Sequence, residues 1–386
     1  MTGQSLWLRG FRPFFLGAAL VAVLSMIMWL SVFLFQLPLN IPGISIFQWH
    51  AHEMIYGYTM AVIAGFLLTA AWNWTGQETA SGAGLAWIFL FWLLARALMM
   101  IGADLLIYAA VADLSFILGL GIAVARPIIK VRQIRQAPVL LIITLLAVAN
   151  LFFYLGAAGL VDQGIRLSVY GGLYLVLGMV LFMGRRVIPF FTERGVGYPV
   201  ELKNARWNDI ATFILYPAFM LSELIFPHHA AGAVLAAGLF ILNSLRVNGW
   251  HTLGIWKKPL LWGLFTAFIM INLGFLMRAF TLVTAIPDLL PIHAFAVGGI
   301  GIVSVSMMAR VTLGHTGRNV HQSPPIMTLL LGGMVLTATL RIFLPLMDPV
   351  HYRFWIGASG ILWIISFGLF AFVFIPMLVS KRIDAT

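Results

Sequence analysis

The segment Trp49-His50-Ala51-His52-Glu53 concentrates residues that bind metals and carry protons. Imidazole nitrogens bind iron and copper, and a neighbouring glutamate can relay protons or support a ligand. Residues two apart project ~200° from each other on a helix, but point the same way in an extended segment. If the helix begins at about Glu53, His50 and His52 can bind one metal from an extended lead-in. The alternative is an interfacial histidine pair that contacts water.

A third candidate ligand, His293, opens a later hydrophobic segment. We expect it at the same outer membrane depth as His52. The two histidines would then be axial haem ligands, or one would serve haem and the other copper, with His50 on copper. Taken alone, His293 is an interfacial histidine. His228, His229 and His351 are better explained as solvated outer residues.

Three arginines, Arg96, Arg278 and Arg341, fall near the outer ends of their hydrophobic segments. Cations are disfavoured there, because positive residues accumulate on the cytoplasmic side. One explanation is that their long side chains reach the membrane surface. The other is that they pair with buried anions such as haem propionates, because a guanidinium binds a carboxylate with two parallel hydrogen bonds.

A second polar group is expected on the cytoplasmic side. It contains Arg12, Arg310 and His315, the last within the glycine-flanked segment Gly314-His315-Thr316-Gly317-Arg318. This group would hold a second metal or haem, or the segment would only turn the chain. The sequence leaves both alternatives open.

The elements that carry these residues are membrane helices. Of the 386 residues, 62% are hydrophobic and 9% charged, whereas a soluble domain has about 25% charged residues. The apolar runs are continuous, which excludes a β-barrel, and each is long enough to span hydrocarbon as a helix. The sequence predicts an all-α polytopic protein with twelve spans, at 13–35, 51–72, 83–101, 104–125, 138–160, 167–184, 209–226, 230–247, 259–281, 291–311, 325–345 and 353–379.

The net charge of +11 is a topology signal. Cations concentrate in alternate loops, such as 126–135 and 185–206, while the opposite loops carry Asp104, Asp162 and Asp288. This asymmetry places both termini in the cytoplasm. The positive charge is therefore explained by contact with the lipid bilayer, and it gives no indication of nucleic-acid binding. The absence of a Walker A loop excludes an ATP-driven pump, and the absence of cysteine excludes thiolate metal sites.

A weak internal repeat is present. Arg186 to Arg194 and Arg310 to Arg318 both read R-V-x-x-x-x-T-x-R. The repeat favours a four-helix unit used three times within a single transmembrane domain of residues 1–386, with repeat units at about 1–130, 131–250 and 251–386.

Several motifs together resemble the NnrS family. They are Leu8-Arg9-Gly10-Phe11-Arg12-Pro13-Phe14-Phe15, Trp49 to Glu53, Ala64 to Ala70, Asn73-Trp74-Thr75-Gly76, Arg186 to Thr192 and Arg310 to Arg318. The resemblance implies a multi-pass protein of the bacterial inner membrane that carries haem b and copper. It also implies a role in nitric oxide tolerance, alongside denitrification or nitrosative stress. The chain departs from the family at 261–265, where relatives carry a histidine.

Three functions remain open from the sequence. The first is a haem-dependent oxidoreductase, resembling nitric oxide reductases, that binds and reduces nitric oxide with electrons from an unknown donor. The second is a transporter for copper, haem or a small anionic metabolite, in which the outer arginines bind the substrate. The third is a scaffold or sensor that protects a partner from nitrosylation.

Overall fold

A hydrophobic chain in hydrocarbon must bond its backbone groups within each segment, and a helix does this. The computed structural model describes residues 3–37, 43–101 and 105–383, and every regular element in those ranges is helical. Asp104 lies outside the described residues. The twelve long helices of the described ranges, α1 to α12, are Phe11–Phe35, Ile46–Thr75, Gly82–Ile101, Leu106–Lys130, Ala137–Ala157, Gly164–Gly195, Arg206–Ile225, Ala230–Trp250, Pro259–Phe280, Leu289–His315, Ile326–Ile342 and Tyr352–Val379.

Eleven of these helices are long and apolar enough to cross a membrane. The prediction of an all-helical, polytopic membrane protein is therefore confirmed. The remaining helix, α7, carries Arg206, Asp209 and Glu223, which lower its hydropathy. The count of twelve spans, the cytoplasmic termini and the threefold repeat stay predictions.

Two helices share an irregularity that the sequence analysis did not anticipate. In α2 the segment Glu53–Thr59 is π-helical, and in α10 the segment Ala294–Gly301 is π-helical. Each segment directly follows a candidate ligand, His52 or His293. π-Helical turns are rare and occur frequently at functional sites.

The chain divides into two units. Unit 1 comprises Met1–Val176, Met308–Asn319 and Phe367–Thr386, and unit 2 comprises Leu177–Met307 and Val320–Ser366. Each unit contains one π-helical segment and one candidate histidine site. The single-domain organisation and its repeat units stay predictions.

Each unit buries an apolar cluster beside its candidate histidine. In unit 1 the cluster consists of Ile44, Trp49, Met99, Ala109, Phe153 and Tyr154. In unit 2 it consists of Met277, Leu290, Ala294, Ala338 and Ile342. Ala294 and Ile342 directly follow His293 and Arg341, so the second cluster fixes the backbone beside both polar residues.

Candidate functional site

The start of α2 corrects one expectation. The helix begins at Ile46, because Ser45 and Gln48 form a capping box: Ser45 Oγ accepts from the Gln48 amide at 3.2 Å, and Gln48 Oε1 accepts from the Ser45 amide at 2.8 Å. His50 and His52 therefore lie on a helix, and the prediction of an extended lead-in was wrong. The Ser-x-x-Gln pattern at 45–48 is the signal that could have located this start.

The two histidines of α2 consequently have different surroundings. The His50 ring packs on Trp29 of α1, with centroids 4.7 Å apart, and is half-buried. His52 is fully buried, and its ring centroid lies 4.1 Å from that of Phe153 in α5. The two imidazoles contact different helices, as expected for residues ~200° apart.

His52 belongs to a buried polar cluster in unit 1, which we call the first site. Its members come from four consecutive helices: His52 and Glu53 from α2, Arg96 from α3, Asp113 from α4, and Asn150 and Tyr154 from α5. All six residues are buried. The structure thus brings together the predicted His52, Glu53 and Arg96 and adds three residues that the sequence analysis did not single out.

Both ring nitrogens of His52 face oxygen atoms. Nδ1 lies 3.1 Å from Glu53 Oε1. Nε2 lies 2.9 Å from Asn150 Oδ1 and 3.5 Å from a carboxylate oxygen of Asp113. A carboxylate only accepts hydrogen bonds, and the facing amide oxygen does the same. His52 is therefore held by polar contacts through both of its ring nitrogens.

Arg96 supplies a cation to the first site. Its Nη2 lies 2.6 Å from Asp113 Oδ2, and its Nη1 lies 3.4 Å from Glu53 Oε1. The Tyr154 hydroxyl also donates to Asp113 Oδ2, at 2.9 Å. The Arg96 guanidinium thus faces both carboxylates of the first site, and such pairing is the condition under which buried charges are tolerated.

These contacts bear on a metal role for the first site. An imidazole must present a lone pair to bind iron or copper, and His52 directs both nitrogens at hydrogen-bond acceptors. The Arg96 guanidinium would also repel a metal cation. Within the described ranges, no three or more histidine and acidic side chains are grouped so as to hold a metal ion. The first site, as arranged, does not fit a metal or a haem iron.

The second site lies in unit 2 and consists of His293 and Arg341. His293 Nδ1 is 2.7 Å from the Leu289 carbonyl oxygen, which can only accept, so this nitrogen carries the proton. The lone pair is therefore on Nε2, and Arg341 Nη2 donates to it at 2.9 Å. A ring oriented by a backbone carbonyl, with its other nitrogen unprotonated, is the usual state of a metal-ligating histidine.

Arg341 has an unusual environment for a buried cation. Its exposed fraction is 9%, and in the described part of the chain it forms no ion pair. Its Nη1 is buried and makes no hydrogen bond. A buried guanidinium without a carboxylate can bind an anionic group of a ligand. In this structure Arg341 occupies the Nε2 lone pair of His293, so haem binding here stays a prediction in which the guanidinium turns from Nε2 to a propionate.

The third outer arginine has a partner within the protein. Arg278 forms a bidentate pair with Glu223 of α7, from Nε to Oε2 at 2.9 Å and from Nη2 to Oε1 at 2.7 Å. Arg278 Nη1 also donates to the Thr281 hydroxyl, at 2.9 Å. The carboxylate expected from a ligand is thus supplied by Glu223. Glu223, an acid near the end of a hydrophobic stretch of α7, is the sequence signal for this pair.

The predicted cytoplasmic group lies in unit 1. Arg12 Nη1 donates to the carbonyl oxygens of Leu378 and Ser380, at 2.7 and 2.6 Å, and so caps the end of α12. Arg310 is buried, with 8% exposed. The His315 ring lies 5.7 Å from that of Phe11. A cofactor role for these three residues stays a prediction, whereas the capping role of Arg12 is directly visible.

Comparison with known protein families gives a match over nearly the whole chain. The family model described as NnrS protein matches residues 5–382, nearly the whole chain. The search of curated proteins finds no match.

Proposed function

We propose, for a chain that belongs to the NnrS family, a haem- and copper-binding protein of the bacterial inner membrane that acts in the nitric oxide and nitrosative stress response. Nitric oxide would be its ligand or its substrate, with electrons from a separate donor. The family supports the response to nitric oxide, and the second site supports haem binding.

The observation that carries the haem proposal is the state of His293. Its Nε2 lone pair is directed toward Arg341, and its Nδ1–H is held by the Leu289 carbonyl. His293 would bind the iron through Nε2, and Arg341 would pair with a propionate. Bound haem supplies an iron centre that coordinates nitric oxide and exchanges electrons. The hydrogen bond from Nδ1 keeps the ring in the required tautomer and raises its basicity as a ligand.

For the residues of α2 we propose roles in copper binding and proton transfer, argued from their accessibility and contacts. His50 is half-buried and packs on Trp29, which leaves it the more accessible histidine of α2 and the candidate copper ligand. Glu53 contacts His52 and Arg96 and is the candidate proton relay. To act as a haem ligand, His52 would first have to give up its contact with Asn150.

The deciding experiment is an absorbance spectrum of the purified protein and its variants. We expect a Soret band with stoichiometric haem in the wild type and its loss in His293→Ala. His351→Ala is the matched control, because it removes another histidine of unit 2 that is exposed and bonded to Asp348. Both variants should reach the membrane, since neither substitution removes an apolar residue from a hydrophobic segment. A wild-type spectrum in His293→Ala would overturn the proposal.

Transport of a small anion is the second candidate function. The observation that favours it is the buried Arg341 guanidinium, which has no carboxylate partner in the described ranges. The same spectrum separates the two functions, because a transporter without haem is colourless. Uptake of a carboxylate substrate into vesicles, lost in Arg341→Leu, would then establish transport.

A further inference from the structure

The lone pair of His293 is occupied by an arginine of the next long helix. Arg341 Nη2 donates to Nε2 at 2.9 Å, and the Leu289 carbonyl oxygen accepts from Nδ1 at 2.7 Å. Both ring nitrogens therefore make a hydrogen bond, and an imidazole binds a metal only through a nitrogen whose lone pair is unused. In this arrangement His293 is closed to a metal, and the group that closes it carries a positive charge.

A carboxylate is a stronger partner for Arg341 than an imidazole is. The planar guanidinium forms two parallel hydrogen bonds with a carboxylate, and such charge-assisted bonds are about twice as strong as neutral ones. In the second site the guanidinium bonds to the ring nitrogen and to Tyr352 of α12, while its buried Nη1 makes no hydrogen bond. Among the described residues no carboxylate pairs with it. An arriving anionic group would therefore displace the ring nitrogen as the partner of this guanidinium.

The parts of the second site differ in their freedom to move. The backbone beside His293 and Arg341 is packed into the apolar cluster of unit 2, in which Ala294 and Ile342 are fully buried. The His293 ring is tied to the Leu289 carbonyl oxygen, one helical turn earlier. The Arg341 guanidinium, by contrast, ends a long side chain with several rotatable bonds. Rotation of this side chain would free Nε2 without any change in the backbone.

The charge of Arg341 distinguishes two classes of incoming metal. A free metal ion is a cation, so it would bring a second positive charge beside a guanidinium that has no carboxylate partner, in a medium of low polarity. A metal complex with carboxylates at its edge brings the anion that the guanidinium binds best. The same residue therefore opposes the first class and assists the second.

We propose that Arg341 is the specificity-determining residue of the second site. Its guanidinium keeps the His293 lone pair closed to free metal ions and releases it to a metal complex that carries a carboxylate. For the identity of that complex, haem, the inference rests on the proposed function. The closure of His293 to free metal ions does not depend on haem and is tested without it.

Carbethoxylation by diethyl pyrocarbonate tests the closure, because this reagent is attacked by the lone pair of an unprotonated imidazole nitrogen. The full-length protein is produced in haem-deficient cells, and the modified residues are located by mass spectrometry. His293 is half-buried and should react slowly in the wild type. In Arg341→Leu its rate should rise at least about tenfold, because no hydrogen bond from a charged donor has to break before the lone pair reacts.

Zn²⁺ is the probe for the selection between metals, because imidazole binds it and it has no redox chemistry. It should protect His293 from the reagent in Arg341→Leu and leave the wild-type rate unchanged. Tyr352→Phe is the matched control, since it removes the other partner of the guanidinium and should behave as the wild type. Protection of His293 by Zn²⁺ in the wild type would overturn the proposal. An unchanged rate in Arg341→Leu, or an equal rise in Tyr352→Phe, would do the same.

The nitrogen chemical shifts of His293 give a second readout, which looser packing alone would not move. In full-length protein labelled with nitrogen-15 histidine, the signals missing from His293→Ala belong to His293. Its Nε2 signal should move downfield in Arg341→Leu, where the hydrogen bond is lost, and its Nδ1 signal should stay. A wild-type Nε2 shift typical of a free lone pair would overturn the proposal, even if the variant does not fold. Haem binding together with Zn²⁺ protection in the wild type would refute this inference alone, whereas a closed His293 that binds no haem would refute the proposed function.

Discussion

The first and second sites are built on the same local plan. In each, a histidine stands immediately before a π-helical segment, His52 in α2 and His293 in α10. In each, an arginine comes from the next long helix along the chain, Arg96 in α3 or Arg341 in α11. A glycine five residues after the histidine completes the common pattern of both segments.

The sites differ in their acids. His52 is followed by Glu53, and Asp113 reaches the same cluster, whereas His293 is followed by Ala294. In the first site the carboxylates contact Arg96 and Nδ1 of His52, and the Asn150 amide oxygen faces Nε2. In the second site Arg341 donates to His293 Nε2, and no carboxylate among the described residues pairs with this arginine. The carboxylates thus distinguish the internal ion-pair network of the first site from the second site, for which we propose a ligand.

Replacing the arginine of each site should give the largest difference in stability between the two sites. Arg96→Met leaves Glu53 and Asp113 buried with too little positive charge, so the free energy of unfolding should fall by about 3–5 kcal/mol. Arg341→Met removes a cation that has no carboxylate, and should change stability much less. Unfolding in detergent, followed by circular dichroism against increasing sodium dodecyl sulfate, measures both.

A double variant checks the cause of this loss. Arg96→Met combined with Asp113→Leu removes one charge of each sign and should recover part of the stability. Equal losses in Arg96→Met and Arg341→Met would contradict the contrast between the two sites.

Adding a side chain at the glycines beside the ion pairs should give the next largest loss of stability. A Cβ at Gly57 would lie 2.8 Å from Glu53 Oε2, and one at Gly232 would lie 2.0 Å from Glu223 Oε1. Gly57→Ala and Gly232→Ala should each lower the free energy of unfolding by roughly 1–3 kcal/mol through overpacking. Gly368→Ala, with no atom within 4 Å, is the control and should not destabilise. Stable Gly57→Ala would show that the first site tolerates displacement of its ion pair.

The membrane architecture followed from the sequence because long apolar runs have few alternatives in a bilayer. Helix α7 shows the limit of this argument. Its Asp209 and Glu223 are each paired with an arginine, Asp209 with Arg246 and Glu223 with Arg278. Hydropathy counts each charge separately and cannot register that a partner on another helix compensates it.

The candidate sites were predictable in part. His52, Glu53 and Arg96 were identified because ionisable residues at membrane depth stand out. Asp113 carries the same signal within α4 and was overlooked, because its neighbours held no other candidate ligand. The start of α2 differs from the prediction, because the capping box of Ser45 and Gln48 begins the helix ahead of both histidines. The π-helical segments depend on tertiary packing and have no local sequence code.

Substitutions at Arg341 test whether its guanidinium binds a haem propionate. Arg341→Leu should lower haem retention more than Arg341→Lys does, because lysine keeps the charge but cannot form two parallel bonds to a propionate. The haem-to-protein ratio after purification measures this. Lysine and leucine variants with equal retention would indicate that Arg341 serves only to orient His293.

The smallest effect is expected at His351, at the surface of unit 2. Its ring donates to Asp348 at 2.9 Å, and this hydrogen bond, with one from Trp355 at 3.1 Å, holds the pKa of Asp348 below its ordinary value. A lowered pKa means that the ionised Asp348 stabilises the folded protein above about pH 4, and that this contribution is lost at lower pH. His351→Ala should therefore unfold at a slightly lower midpoint than the wild type at pH 7, and the difference should vanish in acid. Its haem spectrum should not change, because its ring is bonded to Asp348 rather than to Arg341. A shifted Soret band in this variant would move the ligand assignment in unit 2 from His293 to His351.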